Sequence, residues 1–429
     1  MYDLAVIGAG WAGFNATVRA KELGLKVCLI DSHKVGGTCL HYGCIPTKTL
    51  IASAKVFSLT KRLNSFGVEL ENPRVKLATI QEKKNKVIFQ LMQGMQSRLV
   101  GVDFINALAQ VVSSQEIRVG DRTIRTKFIL IATGSRSFEL GELKFNQKNI
   151  ISSDAAIALT EVPQSLLVVG GGVIGCEFAS LFSMLGSQVM IIEKTSSLLP
   201  NEDKEISRKI EVIFKKKGIQ VVTGADISTF DLNNYSKTLI CVGRRPHAQG
   251  LGLDNLGIEL KDNRIVVDDY LKSGCDNIYA AGDCTGQRML AHYAAYQGVM
   301  AVENMFSTQR KKADNLVVPT CIFTEPQIAS VGLSQEAAVK AGLKIKVHKF
   351  DFRASAMAQI IDEVDGFVKI ISNQENDQII GASIIGPQAT ELISTLVVAI
   401  SSRLTITQIR QVIFAHPTFS EAIQEAVKN

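Results

Sequence analysis

The sequence predicts an α/β fold: two Rossmann-like, doubly wound units followed by a C-terminal α+β domain. Three observations predict it. A short apolar run, Leu4–Ile7, opens directly into Gly8-Ala9-Gly10-Trp11-Ala12-Gly13, and a second, Leu166–Val169, opens into Gly170-Gly171-Gly172-Val173-Ile174-Gly175. Each glycine run leads through helical spacing to another apolar strand that ends on an acid, Asp31 or Glu193, 23 positions after its first glycine in both cases. Beyond residue 316 strands and helices alternate and no glycine loop returns. A unit repeated at a fixed interval is one supersecondary design used twice.

In the first unit, Gly8, Gly10 and Gly13 permit a tight turn and bring a pyrophosphate against a helix N-terminus, and Asp31 sits where a carboxylate meets ribose hydroxyls. Trp11, the only tryptophan, packs beside a dinucleotide or serves ordinary packing. Thr49–Leu63 and Leu77–Leu99 read as helices. Phe104–Val112, Ile117–Val119 and Thr123–Ile131 read as strands of a small meander, and the last runs into Thr133-Gly134, suited to backbone contact with the first dinucleotide.

In the second unit, Gly170, Gly172 and Gly175 repeat the turn. Glu193 can accept from the 2′-hydroxyl of NAD and would repel the 2′-phosphate of NADP, so NAD is expected. The strand Thr238–Val242 ends in Gly243-Arg244-Arg245-Pro246, whose arginines reach phosphate or ribose or lie on the surface. Gly224 to Lys237 is short for a meander like that of the first unit. Ile278–Ala281 then ends in Gly282-Asp283, an acid placed for the ribityl hydroxyls of a flavin. A helix from Leu290-Ala291-His292 to about Phe306 follows. The boundaries read as 1–145 and 268–316 for the first nucleotide domain, 146–267 for the second, and 317–429 for the last.

Between the first glycine turn and the first long helix lies Gly36 to Lys48, GGTCLHYGCIPTK. A regular helix would separate the Cα atoms of Cys39 and Cys44 by roughly 8–9 Å, and a disulfide needs about 4.4–6.8 Å. The pair closes only on a distorted backbone, for which Gly43 is permissive and Pro46 lacks a helical donor. Two cysteines so placed are either a redox switch or two thiols that never meet; the flanking nucleotide motifs favour the switch. Near the C-terminus, Glu421 falls in the first turn of the last helix, where it can orient and charge-stabilise His416.

Composition narrows the class. The chain has 429 residues, 46% hydrophobic residues, 9 prolines and a net charge of +6. That suits an ordered enzyme; no basic patch argues for nucleic acid, and no apolar run suffices for a membrane span. No C-x-x-C pair suggests zinc, so no metal is expected. The chain opens MYDLAVIGAG, already a strand and a nucleotide loop, which leaves no room for a signal peptide and implies the cytoplasm.

Taken together, GGTCLHYGCIPTK, GGGVIGCEFA, CVGRRP, IYAAGDC, MLAHYAA, GFVKI and AHPTFSEA resemble, in order, the motifs of the pyridine nucleotide–disulfide oxidoreductases. The last two are most similar to members that oxidise protein-bound dihydrolipoamide with NAD⁺. The resemblance implies FAD at Gly8, Gly10, Gly13, Asp31, Gly37, Thr38, Lys48, Thr133, Gly134, Asp283 and Ala291. It implies NAD at Gly170, Gly172, Gly175, Glu193 and Gly243. It makes Cys39 the interchange thiol and Cys44 the flavin-facing one, with Lys48 near the ring and paired with Glu177. It implies a homodimer in which His416 of the other subunit is the base with Glu421 behind it, and lipoyl domains of a 2-oxoacid dehydrogenase acyltransferase or a glycine cleavage protein as partners. Three departures stand out: Asp31 replaces a more usual glutamate, Phe414 stands where relatives carry a second histidine, and Gly224–Lys237 is short.

Overall fold

The strands that run into the glycine turns are continuously apolar where they are buried, Leu4–Ile7 and Leu166–Val169, as strands covered on both faces must be. In the computed structural model, which describes residues 1–141, 143–313 and 317–428, Tyr2–Ile7 lies between two parallel neighbours. Ile7 stands opposite Ile30 of Val27–Asp31 on one side and Ile131 of Arg122–Ile131 on the other. Asp103–Asn106 and Ile278–Ala280 extend the parallel sheet at its two ends. The early part of Arg122–Ile131 pairs antiparallel with Glu116–Val119, which pairs with Ala109–Ser113. The expected strand Phe104–Val112 is thus two strands, because its halves pair with different neighbours.

Helices Trp11–Glu22 and Ala291–Phe306 pack together in this unit. A Cβ on Gly298 would stand 2.2 Å from Ala12 O, so only glycine lets the two backbones approach this closely. Against Ala5, Ile7, Cys28, Ile30, Ile129 and Ile131 pack Ala248, Leu251, Leu253, Ile258 and Ile265. The chain therefore rejoins the first unit at Arg244, earlier than the residue 268 read from the strand pattern. Strand Arg244–Pro246 pairs antiparallel with Ser135–Ser137, and the segment after it has no periodicity to betray its burial. The unit comprises Met1–Leu50, Ala78–Phe138 and Arg244–Asn315. The expected junction at 316/317 touches residues outside the described ones.

The second unit comprises Ile51–Leu77, Glu139–Gly243 and Leu316–Asn429. Its parallel sheet runs Gln220–Thr223, Gln188–Glu193, Ser165–Val169, Lys237–Ile240, Ile150–Ile151. In place of a meander, the short segment makes two 3₁₀ turns, Ile227–Thr229 and Leu232–Asn234, capped by the Asp226 and Asp231 carboxylates. Ile227, Phe230, Leu232 and Tyr235 pack on Leu167, Val169, Ile192 and Ile240, so the shortened chain still covers the sheet. A second, antiparallel sheet runs Thr320–Ile322, Gln327–Gly332, Ile379–Gly386, Phe367–Asn373, Ile345–Asp351. Its first strand, three residues long, is too short to show a period in sequence. Helices Ala389–Ser401 and Glu421–Lys428 contribute to its core.

This unit buries a lysine. Lys369, 1% exposed on strand Phe367–Asn373, places Nζ 2.9 Å from Asp203 Oδ2 and 2.8 Å from Glu205 Oε1. The two carboxylates outweigh desolvation and raise its pKa. A buried charge stripped of one partner is strongly destabilising. Lys369→Met, which leaves Asp203 uncompensated, is expected to cost about 3–5 kcal/mol. The check is a lower urea midpoint at unchanged denaturant slope.

Candidate active site

The two cysteines stand at a break between helices. Gly37–His41 forms one short helix, closed by Tyr42 N–H donating to Thr38 O at 2.8 Å, and a new helix, Cys44–Leu59, begins two residues later. The sequence placed a helix only from Thr49; its true start is Cys44, and Pro46 lies in the first turn, where its missing N–H costs nothing. Gly43 does not take a left-handed φ. Its requirement is room: a Cβ there would lie 3.1 Å from Thr38 O. The break brings the thiols of Cys39 and Cys44 into hydrogen-bond contact.

The Cys39 thiol is pushed well up, first by its hydrogen bond with Cys44 and then by burial, against the opposing pull of the Trp11 indole N–H and the Lys48 charge. Burial pushes Cys28 and Cys284 up to about 12, so these two remain inert thiols.

Gly37 joins the pair to the first glycine turn, since a Cβ on it would come within 2.6 Å of Gly10 Cα. The two turns are near copies: Gly8 has φ 107° and Gly170 106°, and the helix caps Gly10 and Gly172 share ψ −173°. Their acids act alike. Asp31 Oδ2 accepts from Ala9 N–H at 2.6 Å and Oδ1 from His33 N–H at 2.7 Å; Glu193 Oε2 accepts from Gly171 N–H at 2.6 Å and Oε1 from Thr195 N–H at 2.7 Å. Each acid braces its own loop while keeping lone pairs for a ribose.

Asp283, beyond Gly282, accepts from Ser135 Oγ at 2.6 Å, and Ser135 accepts in turn from Arg244 Nε at 2.8 Å. Burial raises the Asp283 carboxyl, opposed by Ser135 and Arg244. Arg244 thus holds its partners Ser135 and Ser137 within the first unit. Ser135 lay in view beside Thr133-Gly134, but nothing in the spacing marked it. Thr133 Oγ1 donates to His247 O, and Gly134 O accepts from His247 N–H at 2.9 Å. The cap of Ala291–Phe306, Leu290, offers no side-chain acceptor, which leaves the amide end at Ala291 open to a ligand.

In the second unit, His416 Nδ1 lies 2.8 Å from Glu421 Oε1, and Glu421 Oε2 accepts from Thr418 N–H at 2.8 Å. The Thr418 amide and the His416 ring hold the Glu421 carboxyl below its ordinary range. The His416 side chain is 71% exposed. Glu177, buried, accepts from Phe323 N–H at 2.9 Å through Oε1. Gly243, at φ 117°, has open space around it.

Residues 2–298 match the model of the pyridine nucleotide-disulphide oxidoreductases, and residues 318–427 match that family's dimerisation domain. The chain belongs to this family. It is an oxidoreductase. The dihydrolipoyl dehydrogenase of Bacillus subtilis (strain 168) is 36% identical, over 99% of this chain and 97% of its own. That of Chlamydia muridarum is also 36% identical, over 99% and 96%. Among solved structures, the HOCl-induced flavoprotein disulfide reductase RclA from Escherichia coli superposes with a TM-score of 0.89 at 27% identity, covering 100% of this chain and 99% of that one. LpdA from Mycobacterium tuberculosis gives 0.91 at 27%, covering 99% of both. Among the described residues, no helix is long and apolar enough to cross a membrane.

The two turns fit the dinucleotides of this family. A Cβ on Gly13 would stand 1.8 Å from Gly8 O, and one on Gly175 1.9 Å from Gly170 O, whereas one on Gly172 would meet nothing within 4 Å. The last glycine of the turn is demanded by the protein's own backbone; the middle one leaves space at the helix N-terminus that only a ligand would need. Gly175→Ala is therefore expected to destabilise the unit by about 3 kcal/mol. Gly172→Ala is expected to keep stability within about 1 kcal/mol and yet weaken NADH binding about tenfold or more. Thermal melts and equilibrium NADH titration of the two variants check this.

Proposed function

We propose that this chain oxidises protein-bound dihydrolipoamide to lipoamide with NAD⁺ as acceptor, through a redox-active Cys39–Cys44 pair and FAD. The observation that carries the reading is that pair: two thiols in contact across a helix break, tied through Gly37 to the first glycine turn. The full-length match to dihydrolipoyl dehydrogenases supports the substrate, and the braced Glu193 supports NAD over NADP. The first turn, with Asp31, Gly37, Thr38, Thr133, Gly134, Asp283 and Ala291, would hold FAD, with Lys48 and Glu177 serving the reacting side of the ring. The second turn, with Glu193 and Gly243, would hold NAD. Bound FAD supplies two-electron transfer between a dithiol and a nicotinamide.

The chain's own residues do the rest. In a homodimer, the partner subunit's His416, its Nδ1 held by Glu421, takes a thiol proton from dihydrolipoamide on Nε2. The resulting thiolate attacks Cys39 Sγ; the Cys39–Cys44 bond breaks and its electron pair passes to Cys44 as the leaving sulfur. His416, 71% exposed, passes that proton to water and takes the proton of the second substrate thiol, whose thiolate attacks the substrate sulfur of the mixed disulfide, closing the lipoamide disulfide and returning an electron pair to Cys39. The lipoyl domain of a 2-oxoacid dehydrogenase acyltransferase, or that of a glycine cleavage protein, would deliver the substrate, in the cytoplasm. The likeness to a flavoprotein disulfide reductase favours, as a second reading, another disulfide reduced at the expense of a nicotinamide.

Anaerobic addition of dihydrolipoamide to the purified protein, followed by NAD⁺, separates the two readings. The expected result is a long-wavelength thiolate–flavin band and then NADH. Reduction by NADPH alone, without response to dihydrolipoamide, favours the second reading. Cys44→Ser is expected to abolish lipoamide turnover and keep bound FAD; full turnover in that variant would discard the disulfide assignment.

Glu421 tests the base. A carboxyl held below its ordinary range stays ionised from neutral pH down through that range, and its pairing with His416 is lost only as pH falls through the depressed value. Loss of activity between pH 7 and 5 is therefore not expected to come from Glu421. Glu421→Gln is expected to slow turnover by about 10–100-fold at every pH in that window, as read by a kcat–pH profile.

A further inference from the structure

We propose that Thr195 is a specificity-determining residue of the second nucleotide site: it uses up one oxygen of Glu193 and leaves that acid able to accept from a single ribose hydroxyl. The proposal rests on the reading above, in which Glu193 meets the adenosine ribose of NAD. The two glycine turns are near copies, and they differ two residues after the acid, where the first has His33 and the second Thr195. An ionised carboxylate offers about four lone-pair positions, two on each oxygen. In the first unit Ala9 N–H fills one position on Asp31 Oδ2 and His33 N–H one on Oδ1. Among the described residues nothing else donates to that side chain, so each oxygen keeps one position, enough for both hydroxyls of a ribose.

In the second unit Gly171 N–H fills one position on Glu193 Oε2, at 2.6 Å. Thr195 fills both on Oε1: its N–H donates at 2.7 Å and its hydroxyl at 2.9 Å. One position is left, on Oε2. The Thr195 hydroxyl has one proton and a second acceptor, Ser197 O at 3.0 Å. A carboxylate oxygen is the stronger acceptor, so the proton goes to Glu193. The backbone holds Thr195 in place, since Thr195 O accepts from Gly224 N–H at 2.8 Å and Glu193 O from Ala225 N–H at 3.1 Å. The segment that begins at Gly224 thus fixes the residue that closes off Oε1. A hydrogen bond to a charged acceptor is worth about tenfold or more in affinity, and one bond fewer shows chiefly as faster release. A single open position therefore suits a dinucleotide that must leave in every turnover.

The test is isothermal titration calorimetry of the oxidised, FAD-loaded enzyme with NAD⁺ and with its two analogues lacking the 2′- or the 3′-hydroxyl of the adenosine ribose. Oxidised enzyme and oxidised nucleotide do not react, so binding alone is read. In the parent, one analogue is expected to bind about tenfold or more weakly than NAD⁺ and the other within about twofold of it. In Thr195→Val, which keeps the shape and removes the hydroxyl, both analogues are expected to lose about tenfold or more. Thr195→Ser keeps a hydroxyl and is expected to show the parent's pattern. Thr195 is exposed, so both variants are expected to melt with the parent. Losses with both analogues in the parent, or a Thr195→Val pattern identical to the parent's, overturn the proposal and leave the NAD reading standing. No loss with either analogue in the parent shows that Glu193 does not meet the ribose, and overturns the proposal together with that reading of the second turn.

Discussion

The molecule depends on backbone meeting backbone without a side chain between. In each glycine turn the last glycine rests on the carbonyl of the first, and the first rests on a neighbouring strand: a Cβ on Gly8 would be 2.2 Å from Ala132 O, and one on Gly170 2.5 Å from Cys241 O. These approaches fix the angle at which helices Trp11–Glu22 and Val173–Leu185 leave their sheets. Their N-termini are left uncapped by any side chain, with amides free for an anion. The acid at the end of the next strand then locks the loop by accepting its N–H. Loop, helix and acid form one rigid element, and the chain carries it twice.

The redox pair is an extension of the first of these elements. Gly37 presses on Gly10, so the short helix that carries Cys39 takes its place from the same close packing that shapes the phosphate turn. The break after His41 then sets Cys44 against Cys39, a geometry no continuous helix provides. The two sulfurs share their environment unequally: Cys39 is weighted toward the protonated form by Cys44 and burial, with Lys48 and Trp11 pulling the other way.

The His416–Glu421 pair is built differently. His416 and Glu421 are set by a local turn in which Thr418 N–H fixes one carboxylate oxygen and His416 Nδ1 lies on the other. Such a unit needs no deep burial to be oriented, and the exposed imidazole is left to project from the surface.

The sequence by itself determined the α/β class, the doubled glycine unit, the acids that close each unit, the cysteine pair and the histidine with its glutamate. All of these are carried by short-range spacing: strand, turn and helix follow one another within about thirty residues, and a period or an interval is visible without knowing what lies opposite. Only the tertiary structure decided that residues 244–267 pack with the first unit, that Arg244 reaches Asp283 through Ser135, and that Lys369 buries its charge against Asp203. Those choices join positions far apart in the chain through single side chains. They leave no period, because a lone buried polar contact is selected by the groups that surround it in space and not by its neighbours in sequence.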